Sequence, residues 1–193
     1  MGTIRPASIS DAAAICAIYN HYVADTHITF EEEPVDEADM AARISEIASS
    51  LPWIVWEEQG DVLGYAYASK WRARSAYRYA VESTVYLRCD MTGRGIGRAL
   101  YEHLVSDLRR AGIHSVIGGI AMPNASSQAL HERMGFRKVA HFEQVGWKFG
   151  RWIDVVYWEL ILAAAPGQSS GSVPPRSPPS EPAEPAKREP RSN

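Results

Sequence analysis

Apolar positions along residues 1–162 switch repeatedly between the two-residue spacing of a strand and the 3.6-residue spacing of a helix. Residues 3–5 read as a short first strand. Ser10 stands where a helix cap belongs, ahead of Ile15, Ile18, Tyr19 and Tyr22 on one helical face. Asp36 opens a second helix carrying Met40, Arg43, Ile44 and Ile47 on successive turns. Apolar runs at 53–57 and 62–68 flank Glu58, Gln59, Gly60 and Asp61, which is a hairpin signal. A polar and aromatic loop, 69–79, leads to a strand at 81–87. A glycine cluster follows, then a helix with Leu100, Leu104 and Leu108 in register, stopped at Gly112. Residues 115–120 read as a strand, Asn124 or Ala125 starts a short helix ending at Gly135, and strands at 137–142 and 153–160 close the series. Strands and helices mix without a regular βαβ repeat, so the pattern predicts an α/β domain with antiparallel hairpins.

The pattern stops after Leu162. Eight of the twelve prolines lie between Pro166 and Pro190, among serines, glutamates and arginines. Such a segment buries too little apolar surface to offset its ordering entropy, so residues 163–193 read as a disordered Pro/Ser-rich tail behind one domain, 1–162. The whole chain carries a formal charge of −3, and the domain without its tail about −4. A dedicated nucleic-acid binder normally shows the opposite balance. No apolar run approaches the roughly 18–20 residues of a membrane span, and the N-terminus lacks the apolar core of a secretory signal. Cys16 and Cys89 are too few and too far apart for a disulfide framework or a zinc cluster. A soluble, cytoplasmic, metal-free protein is the expectation.

The glycine cluster carries the first chemical information. Gly93, Gly95 and Gly97 fall between a strand and a helix, where free amides and the helix N-terminus attract an anion. Arg94 and Arg98 add charge beside them. A Walker loop would need Gly-Lys-Ser or Gly-Lys-Thr at its end, and none is present. A dinucleotide fingerprint counted from Gly93 would need glycine where Arg98 stands, and no acidic residue closes the next strand.

The segment Val85-Tyr86-Leu87, then Gly93-Arg94-Gly95-Ile96-Gly97-Arg98, resembles the acetyl-CoA pyrophosphate loop of GNAT N-acetyltransferases. Thr92 departs from the Gln or Arg usual at its position, and Arg94 and Arg98 supply charge nearby. Asn124 followed by Leu130-His131-Glu132-Arg133-Met134-Gly135-Phe136 is similar to that family's closing helix. Within the superfamily, Asn20-His21-Tyr22, Thr29-Phe30, Ala73-Arg74-Ser75-Ala76-Tyr77, Glu82-Ser83-Thr84-Val85-Tyr86 and Leu130-His131-Glu132 look like phosphinothricin and methionine sulfone or sulfoximine N-acetyltransferases. The resemblance spans residues 3–160. It implies a mixed, largely antiparallel sheet of six to seven strands flanked by about four helices, a homodimer, and direct acetyl transfer from acetyl-CoA to a small-molecule amine.

An α-amino group is mostly protonated at neutral pH, so the reaction needs a base within hydrogen-bond reach. The resemblance puts Glu82 in that role. It places His131 where many relatives carry a tyrosine that protonates the departing thiolate, and imidazole can act as acid or base. Val85, Tyr86 and Leu87 fall on the stretch whose backbone receives the pantetheine arm, and bulged-strand amides would stabilise the oxyanion. The resemblance implies that Gly93, Arg94, Gly95, Ile96, Gly97 and Arg98 hold the pyrophosphate, with Asn124 nearer the pantetheine. Phe30, Arg72, Arg74 and Tyr77 are the acceptor candidates; Arg74 sits on the matched position, whereas Arg72 also reads as a solvated side chain. Trp147, Phe149 and Trp152 suit an interface or a lid. Two alternatives stay open: an acetyltransferase for a polyamine, aminoglycoside or protein amine, and a CoA-binding sensor without turnover. Deleting residues 163–193 is expected to leave folding and turnover essentially unchanged. Purified truncated protein that aggregates or loses most activity would refute that boundary.

Overall fold

The computed structural model describes residues 2–162; the predicted tail at 163–193 lies outside them. The strands are β1 (Thr3–Pro6), β2 (Trp53–Glu58), β3 (Asp61–Lys70), β4 (Ala80–Leu87), β5 (Ser115–Ala121), β6 (Arg137–Lys148) and β7 (Arg151–Ile161). They form one sheet in the order β1-β2-β3-β4-β5-β7-β6. Every neighbouring pair is antiparallel except β4 and β5. The helices are α1 (Ala12–Asp25), α2 (Glu37–Ala48), α3 (Ile96–Arg110) and α4 (Ala125–Arg133). No helix among the described residues is long and apolar enough to cross a membrane.

The helices divide the core in two. On one face α1 and α2 bury Ile15, Val23, Met40 and Ile44 against Trp53, Val55 and Tyr65. On the other, α3 buries Leu100, Leu104 and Leu108 against Ile54, Ala66, Val81 and Val116. Alternation along each strand feeds both layers, since successive side chains point to opposite faces. The predicted β2–β3 hairpin turns through Gln59 and Gly60, both at positive φ.

Two predicted features differ. Ser10 does not cap α1. A 3₁₀ turn, Ile9–Asp11, leads into the helix, and its cap is Ser8, whose amide donates to Asp11 Oδ2 at 2.8 Å. The Asp11 carboxylate also accepts both guanidinium arms of Arg5 at 2.8 Å, which makes it worth burying at the start of the helix. The strand predicted to end at Phe142 continues to Lys148. Gln144, at φ 52°, breaks its alternation where the β6–β7 register shifts between Phe142 and Gly146, so the period vanishes from the sequence while the strand goes on.

Packing of α4 onto β5 depends on Gly118. A Cβ there would lie 2.3 Å from His131 Nε2. Gly118→Ala is expected to cost about 1–3 kcal/mol through displacement of the imidazole, and to lower the melting temperature by several degrees. An unchanged melting temperature would refute that contact. The hydrogen bonds from Arg5, and then those from Ser8, hold the Asp11 carboxyl below its ordinary value. A depressed carboxylate stabilises the fold above the unfolded value of about 3.9 and loses that contribution as pH falls through the folded value. Denaturant midpoints are therefore expected to fall with acidification below about pH 4, and less steeply in Asp11→Asn; parallel curves would contradict this.

Candidate active site

Strands β4 and β5 pair only at Ala80–Ser115, Val81–Val116 and Glu82–Ile117. Beyond that point they part, and a cavity of about 680 Å³ fills the wedge between them. The β3–β4 register runs unbroken from Lys70–Val81 to Gly64–Leu87, so the opening comes from this parting rather than from the predicted bulge. The Arg88 amide donates to Leu63 O at 2.9 Å. Strand alternation therefore turns the amide and carbonyl of Val85 and Leu87 away from β3, toward the wedge. The Tyr22 hydroxyl caps the Leu87 carbonyl at 2.6 Å. An extended amide-bearing arm can continue the sheet along this edge.

Gly93, Gly95, Gly97 and Arg98 line the far end of the cavity. Gly93 and Gly95 have φ of 75° and 82°, and a Cβ on either would meet nothing within 4 Å, so the turn is left-handed and open. Gly95 occupies the N-cap of α3, whose first-turn amides at Ile96, Gly97 and Arg98 have no helical acceptor. The Ile96 side chain is in the core, so only its backbone serves the loop. Arg98 pairs with Glu102 at 2.7 Å, while Arg94 turns back toward Met91 and lies 4.0 Å from Glu58. Asn124 caps α4 by accepting from Ser127 N at 3.1 Å, and it too lines the cavity. An anion on open amides beside a bare strand edge fits a pyrophosphate with an amide-bearing arm.

Glu82 stands where the strands part. Its carboxylate is half-buried, and Gly119 is what admits it: a Cβ there would lie 3.2 Å from Glu82 Oε1 and 3.2 Å from the Tyr157 ring. Burial raises the Glu82 pKa above the ordinary glutamate value, with nearby Arg72 pulling the other way. A raised carboxylate in a cleft is suited to accept a proton.

His131 faces the opposite side of β5. It is 3% exposed, and its Nδ1 lies 2.8 Å from the Ser127 carbonyl. A carbonyl only accepts, so Nδ1 carries the proton and Nε2 accepts from the Tyr101 hydroxyl at 3.0 Å. The Tyr101 oxygen is in turn 2.9 Å from Ser83 Oγ, and the Ser83 hydroxyl donates to the Ile117 carbonyl at 3.2 Å. Burial lowers the His131 pKa, the bond to Ser127 opposing, so the imidazole is neutral at pH 7. No motif marks Tyr101 in the sequence, and the Gly118-Gly119 pair closes a strand there without a role; consecutive glycines inside an apolar strand are the available signal.

The acceptor candidates scatter. Arg72 stacks on Trp71, 4.4 Å from the ring, and lines a second cavity of about 490 Å³ with Ile117, Phe142, Tyr157 and Glu159. Arg74 and Tyr77 lie exposed on the 71–79 loop and line neither cavity. Phe30 also lines neither and rests on Gly146 of β6. The structure thus gathers Glu82, His131, Val85, Tyr86, Leu87, the glycines, Arg98 and Asn124 around one cavity, and places Arg72 in the second.

Residues 4–157 match the acetyltransferase (GNAT) domain family. A phosphinothricin N-acetyltransferase of Streptomyces viridochromogenes is 38% identical over 156 residues, 81% of this chain and 85% of that protein. An L-methionine sulfoximine/L-methionine sulfone acetyltransferase of Salmonella typhimurium is 40% identical, over 83% of this chain and 94% of that one. The crystal structure of a GNAT superfamily phosphinothricin acetyltransferase from Sinorhizobium meliloti, in complex with AcCoA, superposes with a TM-score of 0.83 at 37% identity. That match covers 90% of this chain and 96% of the other. With the wedge between β4 and β5 and the open glycine turn at its end, these matches establish that the chain belongs to the GNAT acetyltransferase family.

Proposed function

We infer that the protein transfers the acetyl group of acetyl-CoA to the α-amino group of a small amino acid or amino acid analogue of the phosphinothricin or methionine sulfone type. The observation that carries this reading is the half-buried Glu82 carboxylate, which lines the cofactor wedge and feels the charge of Arg72. Acetyl-CoA supplies the activated thioester. The protein's part begins with the open amides after Gly95, which hold the pyrophosphate, and the Val85 edge, which aligns the arm. Glu82 takes the amine proton, directly or through water, because its raised pKa brings it nearer to the amine's. Arg72 meets the acceptor's carboxylate, and the aromatic walls of Phe142 and Tyr157 receive its side chain. Ile28, beside the wedge, and Phe30, on Gly146, bound the acceptor's approach. His131, neutral and committed to Tyr101, fixes that hydroxyl beneath the reacting end; as the amide bond forms the C–S bond breaks, and the departing thiolate takes a proton from water, balancing the one that Glu82 removes.

The exposed Val145, Trp147, Phe149 and Trp152 at the end of the β6–β7 hairpin make an apolar surface that suits a homodimer contact. That arrangement belongs to the same proposal.

Glu82→Gln is expected to lower kcat by about two orders of magnitude or more with little change in acceptor KM, and to remove the acid limb of the pH–rate profile. Methionine sulfone, methionine sulfoximine or phosphinothricin is expected to be acetylated faster than spermidine or kanamycin. Arg72→Ala should raise acceptor KM more than Arg74→Ala, by about one to two decades for loss of a charge-assisted contact. A polyamine preference with both arginine variants silent would refute the acceptor class, and an unimpaired Glu82→Gln would refute the base.

A further inference from the structure

Lys148, the last residue of β6, is 2% exposed, and among the described residues it is the buried cation of the core. Its ammonium donates to Val23 O at 2.7 Å and Thr29 O at 2.9 Å. Val23 lies in the last turn of α1, where carbonyls lack helical partners and the helix dipole favours a cation. Thr29 lies in the loop that follows. One side chain therefore joins the β6–β7 hairpin to the end of α1 and to the loop after it, at separations of 125 and 119 residues. An apolar residue would fill the same space without desolvating a charge, so the ammonium is there for its two bonds.

Gly146, two residues earlier, makes the second contact. A Cβ on it would lie 2.3 Å from Phe30 Cζ and 2.5 Å from Cε1, so the far end of the ring takes the space a side chain would fill. Between the anchored residues, Ile28 lines the cofactor wedge, and the Thr29 hydroxyl pairs with Tyr19 at 2.8 Å. Residues 28–30 are thus gripped from the hairpin on one side and from α1 on the other.

We propose that the end of the β6–β7 hairpin is an acceptor-positioning clamp, in which Lys148 fixes the Val23 and Thr29 carbonyls and Gly146 seats the Phe30 ring. The proposal rests on the reading of Phe30 and Ile28 as walls of the acceptor's approach. Lys148 is a positioning residue: it touches the loop, and the loop bounds the site.

Initial rates of the full-length protein, with acceptor and acetyl-CoA varied separately, test it alongside melting temperatures. Wild-type turnover of methionine sulfone is measured first, so that failure of acetyl transfer itself is seen apart from failure of the clamp. Lys148→Met and Gly146→Ala should each raise acceptor KM about tenfold and leave acetyl-CoA KM within about twofold, with Lys148→Arg recovering most of the loss. In a Phe30→Ala background, Gly146→Ala should have little further effect, because the ring it displaces is gone. Should Lys148→Met not fold, Gly146→Ala and its double variant decide by the same criteria. Equal shifts in both Michaelis constants, an unchanged acceptor KM, or a full additional effect in the Phe30→Ala background would each overturn the clamp.

Discussion

After the pair Glu82–Ile117 the only parallel contact among the described strands ends, and the rest of the site follows from where it ends. Three residues of pairing keep β4 and β5 in one sheet with a common core beneath them. Releasing the remainder leaves backbone groups of β4 facing a cavity instead of a neighbour, which would be costly without a ligand or water to satisfy them. The wedge is therefore a binding edge built from main chain. It asks little of side chains except that they stay out of the way.

Gly118 and Gly119 show what staying out of the way means. They follow Ile117 on β5 and point to opposite faces. On one face Gly118 gives room for His131, and on the other Gly119 gives room for Glu82 and Tyr157. A titratable group thus approaches the same stretch of backbone from each side. Their environments push them apart: burial makes Glu82 a stronger proton acceptor than a solvated glutamate and keeps His131 uncharged. The His131–Tyr101–Ser83 chain satisfies its polar atoms internally, whereas Glu82 opens onto the wedge. That difference is why the carboxylate is the stronger candidate for base.

Much of this was legible in the order of elements. Helical spacing of Leu100, Leu104 and Leu108 located α3, and Asp36 caps α2 by accepting from Asp39 N at 2.8 Å, as its position suggested. The glycine cluster was legible as a turn before a helix, and it lies on the cavity at the N-terminus of α3, where free amides suit an anion. What could not be read were facts of tertiary packing. A bulge at Gln144 hid six residues of β6 from any test of alternation. The sequence favours Arg74, on the matched family position, yet it is Arg72 that stacks on Trp71 and lines the second cavity. Lys148, between Trp147 and Phe149, gave no sign that its partners lie in α1 and the loop beyond.

Amide hydrogen exchange with and without acetyl-CoA tests the wedge most directly. Occupation of the β4 edge and the α3 N-terminus should slow exchange at Val85 and Leu87 and across residues 93–98, with residues 137–145 little changed. Protection confined to the hairpin and the Arg72 cavity, with Val85 and the glycine turn unaffected, would contradict the claim that parting of β4 from β5 makes the cofactor site.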